Sequence, residues 1–176
     1  MFIKNANAED FIKSKLLEYR TELEEVLNGG DISHYNYDEA VSDETGYRYD
    51  RNDNNRLRIS LAIWYMSENL DVEFLTVALM NEEIKSLENS PYGGTSRTIF
   101  LLSSKILEYK KASYKDLFRR ARHANFDCFF ECDIDIIKKS LKRFSDWHNA
   151  DWDYIFCLLD DEESQKMLKD FENSKE

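Results

Sequence analysis

The chain has 176 residues and a mass of 20.9 kDa, is 42% hydrophobic, and carries 35 acidic against 24 basic residues for a formal net charge of -11. Five glycines and one proline are too few for a turn-dense β sandwich, and no apolar run reaches the length of a signal peptide core or a membrane span. A surface so acidic repels phosphate backbones, which excludes general nucleic-acid binding and makes basic partners the expectation.

The predicted architecture is all-α and single-domain: about eight antiparallel helices in an irregular bundle or a helical-repeat-like array spanning 1–176. From Asn7, apolar residues at Phe11, Ile12, Leu16, Tyr19, Leu23, Val26 and Leu27 recur at steps of one, three and four, and Gly29-Gly30 closes that helix. Residues 31–50 show neither helical nor strand period and read as a long loop with at most one short turn. A second helix is expected from Asp53 or Asn54, turning Leu57, Leu61, Trp64 and Tyr65 inward. Asp71 is the expected N-cap of a third, with Phe74, Leu75, Ala78, Leu79, Ile84 and Leu87 inside. Ser90-Pro91-Tyr92-Gly93-Gly94 breaks the chain before a fourth helix capped by Thr95 or Ser96, carrying Ile99, Leu102, Ile106 and Tyr109. Ser113 and Asp116 suggest a capping box for a fifth, which carries Leu117, Phe118, Ala121 and Ala124. Three more helices are expected from Asp133, Asp151 and about Asp161.

Little in this order signals catalysis. His34, His123 and His148 fit no metal-binding spacing, although His123 and Asp127 at i, i+4 could share a helix face and His148, Asp151 and Asp153 could converge. Cys128, Cys132 and Cys157 form neither a metal-ligand nor a secreted disulfide pattern, so a reduced, cytoplasmic protein is expected, with Cys128 and Cys132 packed as small apolar residues. Asp133-x-Asp135 reads as a helix start, where carboxylates meet free amides. The strongest enzymatic alternative is a Mg²⁺-dependent nucleotide pyrophosphohydrolase, in which Glu22-x-x-Glu25 and Glu68-x-x-Asp71 would face each other from two helices. No phosphate loop or serine elbow supports another chemistry, and neither a cofactor nor a metal is expected.

Charge distribution carries more information. Residues 31–50 hold six acids and one arginine, and residues 144–163 hold seven acids and no base, whereas residues 97–122 between them hold eight bases and two acids. In the first block Tyr35, Tyr37, Tyr47 and Tyr49 interleave with Asp38, Glu39, Asp43, Glu44 and Asp50. Aromatic contact area joined to negative charge suits a protein interface, because the rings anchor while the charge steers encounter. Asp151 and Asp153, beside Trp152 in the second block, are the next candidates.

The segment Ala121-Arg122-His123-Ala124-Asn125-Phe126-Asp127, preceded by Leu117-Phe118 and followed by Asp133, resembles an Ala-Lys-x-Ala-Asn-Phe-Asp type segment of bacterial immunity proteins from polymorphic and contact-dependent growth inhibition toxin systems. Arg56-Leu57 through Trp64 and Leu79 to Glu88 are similar to the helical body of such proteins, so the resemblance covers about residues 50–140. From the residues themselves, Phe126 is expected to anchor a helix end while Asn125 and Asp127 satisfy free backbone groups. The resemblance implies a non-enzymatic, intracellular protein that neutralises one cognate toxin C-terminal domain, a basic nuclease in many such systems, by stoichiometric occlusion. The expected contact set is Tyr35, Tyr37, Asp38, Glu39, Asp43, Glu44, Tyr47, Tyr49 and Asp50, then Asp151 and Asp153. A helical adaptor protein is the third reading, and a homodimer stays open.

Overall fold

The computed structural model describes residues 6–90, 96–109 and 111–132. These form six α-helices, α1 (Ala6–Leu27), α2 (Asp53–Met66), α3 (Glu73–Asn89), α4 (Arg97–Glu108), α5 (Lys115–Arg122) and α6 (Phe126–Glu131), with 3₁₀ turns at Ser33–Tyr35 and Ala112–Tyr114. A two-stranded antiparallel sheet, β1 (Glu39–Val41) and β2 (Arg48–Asp50), completes them. The expected helices from Asp133, Asp151 and Asp161 lie outside the described residues, as do Thr95, Asp151 and Asp153.

Local chemistry accounts for most helix ends. At the end of α1, Gly29 adopts φ +96° and donates its N–H to Val26 O, while Gly30 N donates to Glu25 O at 3.0 Å. This is the paired closure that a left-handed residue after a helix makes available, and a Cβ on Gly30 would come within 2.9 Å of Glu25 O. Ser96 caps α4 by accepting from Ile99 N at 2.9 Å. Removing that acceptor in Ser96→Ala is expected to cost about 1 kcal/mol, read as a fall of a few degrees in Tm by calorimetry.

Three expected starts differ. Asp71 is not the cap of α3; Val72 holds that position, and Asp71 accepts from Glu73 N at 3.3 Å in the preceding turn. Ser113 caps nothing, because residues 112–114 form a 3₁₀ turn and α5 begins at Lys115 without a side-chain cap. The expected fifth helix, α5, stops at Arg122, short of Ala124, and a helix not expected before Asp133, α6, starts at Asn125, which accepts from Cys128 N at 2.9 Å. His123 and Asp127 therefore share no helix. Asn125 does satisfy a free amide as expected, but Phe126 is 76% exposed, stacked edge-on against Phe130 of the same helix instead of buried.

The helices pack α1 on α2, α2 on both α3 and α4, α3 on α4, and α5 on α3 and α4, with α6 against α5. Ile12, Leu16, Tyr19, Leu23 and Val26 of α1 are buried, as the stripe predicts. In α3 Leu75, Leu79, Ile84 and Leu87 are buried, and so are Ile99, Leu102 and Ile106 in α4. Cys128 and Cys132 are buried, packed in the core as expected. One inward assignment is overturned and another is widened. Phe74 is 80% exposed on the first turn of α3, and α2 buries Arg56, Ile59, Ala62 and Ile63 together with Leu61, leaving Leu57, Trp64 and Tyr65 only partly covered. Contact with three neighbouring helices widens the buried arc of α2 beyond the single stripe used to predict it.

Candidate functional site

Residues 31–51 are not a plain loop. A 3₁₀ turn leads into the β1–β2 hairpin, whose register pairs Glu39 with Asp50, Ala40 with Tyr49 and Val41 with Arg48. Its four-residue connection, Asp43-Glu44-Thr45-Gly46, closes through Ser42 N to Tyr47 O and Gly46 N to Ser42 O, both 2.8 Å. Gly46 takes φ +67°, the left-handed conformation that such a connection needs and glycine adopts at least cost. Strands of three residues escaped detection because alternation needs more positions to register, and because Ala40 is the only strand residue buried.

So short a hairpin is not stable alone, and side chains from three helices hold it. Arg56, fully buried on α2, is the centre. Its Nε donates to Glu83 Oε2 on α3 at 2.7 Å, its Nη2 to Asp50 Oδ2 at the end of β2 at 2.5 Å, and its Nη1 to the Tyr35 carbonyl at 3.2 Å. One planar guanidinium thus ties two helices, a strand end and the 3₁₀ turn in a fixed geometry that a lysine could not reproduce. Around it, Tyr35 Oη donates to Glu22 Oε1 on α1 at 2.6 Å, Asn52 Nδ2 to Asn36 O at 2.7 Å, Asn55 Nδ2 to His34 O at 3.0 Å, and Tyr37 N to Glu82 Oε2 at 3.0 Å.

The titrations follow from this arrangement. Burial pushes the Glu83 carboxyl up, and the Arg56 charge opposes it in part. Burial also works against ionisation of Asp50, but hydrogen bonds from Arg56 and from the Asn52 and Asp38 amides outweigh it and hold Asp50 below its ordinary range. Burial and the adjoining Glu22 push the Tyr35 hydroxyl well above the usual tyrosine range. A carboxyl with a depressed folded value contributes stability above its unfolded value of 3.8, and that contribution is lost as pH falls through the folded value. Urea denaturation from about pH 5 down to about pH 2 is therefore expected to show a flatter acid limb in Asp50→Asn than in the parent; parallel limbs would refute the assignment.

The clamp sorts the expected contact residues. Tyr35, 1% exposed, and Asp50, whose side chain is 5% exposed, serve the interior and are not available to a partner. Tyr37 is half-buried. Asp38 pairs with Arg51 at 3.2 Å and Glu39 with Arg48 at 3.1 Å, which reduces the charge each presents. Asp43 and Glu44 stand exposed at the tip, beside exposed Val41, Tyr47 and Tyr49. The negative block in the sequence thus condenses to a small acidic tip with an apolar and aromatic flank. Sequence reasoning missed Arg56 and Glu83. Each continues the inward face of its helix, Arg56 with Ile59 and Ile63, and Glu83 with Leu79, Met80 and Ile84, and opposite charges on two inward faces were the available signal.

The acidic pairs required for a pyrophosphohydrolase are not assembled. α2 ends at Met66 and α3 starts at Glu73, so Glu68 and Asp71 lie in the connection, where Asn69 takes φ +65°, and not on a helix. Glu22 is engaged by Tyr35. Among the described residues no group of three or more His, Cys, Asp or Glu side chains is placed to hold a metal ion, and no helix is long and apolar enough to cross a membrane. No protein-family model, curated protein or solved structure matches the chain.

Proposed function

We propose that this chain is an immunity protein that binds a basic toxin domain and neutralises it by stoichiometric occlusion, with the β1–β2 hairpin as its principal contact. The observation that carries the reading is the pairing of an exposed acidic tip, Asp43 and Glu44, with exposed Val41, Tyr47 and Tyr49 on a hairpin fastened from beneath by Arg56. Fastening matters because a contact surface held in its bound conformation loses little entropy on association. The aromatic rings supply anchors that bury well, and the tip charges orient the approach of a basic surface. The resemblance of residues 121–127 to immunity proteins supports the same class. No catalytic residue is assigned, and the protein acts by covering its target.

The test is to read the gene directly upstream for a toxin domain and to co-express that domain with this chain; an upstream gene without one would refute the proposal. The expected outcome is protection of the cells and recovery of a one-to-one complex by size-exclusion chromatography with light scattering. Unprotected cells together with separately eluting proteins would refute the proposal.

A further inference from the structure

The closure of α1 places an exposed asparagine directly before a glycine, and Asn28-Gly29 is the one Asn-Gly pair in the sequence. Such a pair is chemically distinctive. With no side chain on the following residue, its backbone nitrogen can reach the asparagine amide carbon with least hindrance, an intramolecular attack that depends on orientation alone. A Cβ built on Gly29 would meet nothing within 4 Å, so the flank of that nitrogen is open. Asn89, which precedes the small Ser90, is held differently: its amide donates to Lys85 O at 2.7 Å.

We propose that Asn28 is a site of spontaneous deamidation, through a succinimide closed by Gly29, and that the hydrogen-bonded end of α1 sets its rate. The Gly29 nitrogen attacks Cγ of Asn28, the bond from Cγ to the side-chain nitrogen breaks, the Gly29 proton ends on that departing nitrogen, and ammonia leaves. Water then opens the five-membered ring at either carbonyl. Attack at Cγ gives aspartate; attack at the backbone carbonyl gives isoaspartate, whose main chain runs through the former side chain and is one methylene longer. In the folded chain the first step is restrained. Asn28 N donates to Glu24 O at 3.1 Å, Gly29 N to Val26 O at 3.1 Å and Gly30 N to Glu25 O at 3.0 Å, so the attacking nitrogen has its proton engaged and its backbone held in the closure. Release needs only local fraying, because residues 28–34 are all exposed while the flanking anchors Val26 and Tyr35 stay buried. Either product puts a new negative charge at the negative end of α1, close in sequence to Glu24 and Glu25, and the added methylene of isoaspartate interrupts the spacing that both glycine closure bonds require.

The test incubates the full-length chain in mildly alkaline buffer and follows every asparagine by proteolytic mapping and mass spectrometry, with isoaspartate resolved by its separate elution. The expected result is conversion of Asn28 to a mixture of aspartate and isoaspartate ahead of the other asparagines, Asn89 included, and no such product at that position in Asn28→Gln, whose longer side chain closes a ring far more slowly. Gly30→Ala tests the restraint, since its Cβ would lie 2.9 Å from Glu25 O and force the closure open while leaving the Asn28-Gly29 pair intact. Deamidation should be severalfold faster in that variant, and also in the parent chain unfolded by guanidinium chloride, which reads the same restraint without a substitution. Circular dichroism checks that Gly30→Ala keeps its helices. An Asn28 that stays intact while other asparagines react, a product free of isoaspartate, or a rate unchanged by both Gly30→Ala and denaturant would overturn the proposal.

Discussion

Replacing Arg56 by methionine is expected to lower the stability of the fold by about 3–5 kcal/mol, a fall in Tm on the order of 10 °C for a chain of this size. The loss comes less from the ion pair itself than from what remains, because Glu83, 1% exposed, keeps a buried carboxylate without its counter-charge. Glu83 then takes up a proton, and its folded pKa rises further above the unfolded value. A carboxyl raised in the folded state contributes stability that is complete below the unfolded value and is lost as pH rises through the folded one, so Arg56→Met should weaken steadily from acid toward neutral pH. Adding Glu83→Met should recover part of the loss, since it removes one of the two buried carboxylates that lose Arg56 and leaves Asp50 as the other. Chemical denaturation of the single and double variants against pH checks this; equal stability of the two would show that Glu83 is not the source of the cost.

The second large effect concerns binding. Tyr47→Ala and Tyr49→Ala are each expected to weaken the toxin complex by about 2 kcal/mol, roughly thirtyfold in Kd, mainly through faster dissociation. Their rings are about half exposed in the free protein, so Tm should move little. Tyr35→Phe provides the contrast. It removes the hydroxyl that bonds Glu22, so it should reduce stability while leaving affinity nearly unchanged. Calorimetric titration beside thermal denaturation separates the two classes, and a Tyr35→Phe variant of parental stability with impaired binding would reverse the assignment.

The helical stripes were legible because α1, α3 and α4 each turn a periodic face toward the core. Leu16, Leu79 and Ile99 fall on those faces and are buried. Phe74 was misplaced because it falls just outside the arc of α3 that meets its neighbours, although Leu75 and Thr76 in the same turn are buried, and no propensity reveals which part of an apolar arc finds a partner. The caps divided by reach: Ser96 and Asn125 each lie three residues before the amide they satisfy, whereas Ser113 lies within a 3₁₀ turn that tertiary packing imposes. That packing is visible in Glu73, which receives Lys111 Nζ at 2.5 Å and the Tyr114 hydroxyl and so draws the 3₁₀ turn onto the start of α3.

The candidate site was legible as composition and not as geometry. Interleaved tyrosine and acid in residues 31–50 marked the segment, but nothing local distinguishes Tyr35, committed to Glu22, from Tyr49 on the surface, since that choice is made by residues 13 and more positions away. Charge counting erred for the same reason. Of the six acids in that block, Asp50 belongs to Arg56, Asp38 and Glu39 have arginine partners within the hairpin region, and Asp31 is bonded to Ser33 before the 3₁₀ turn, so within the hairpin the exposed charge without an arginine pair is at the tip.

That redistribution makes the account specific. If the acidic tip steers a basic partner, Asp43 and Glu44 should control the association rate more strongly than Asp38 and Glu39, although all four carry the same formal charge. The decisive measurement is stopped-flow association of the protein with the proposed cognate toxin domain at increasing salt. The predicted result is an association rate that falls steeply with ionic strength, is about tenfold slower in Asp43→Lys/Glu44→Lys at low salt, and is accompanied by a nearly constant dissociation rate. An association rate indifferent to both salt and tip charge would contradict the hairpin as an electrostatically steered contact.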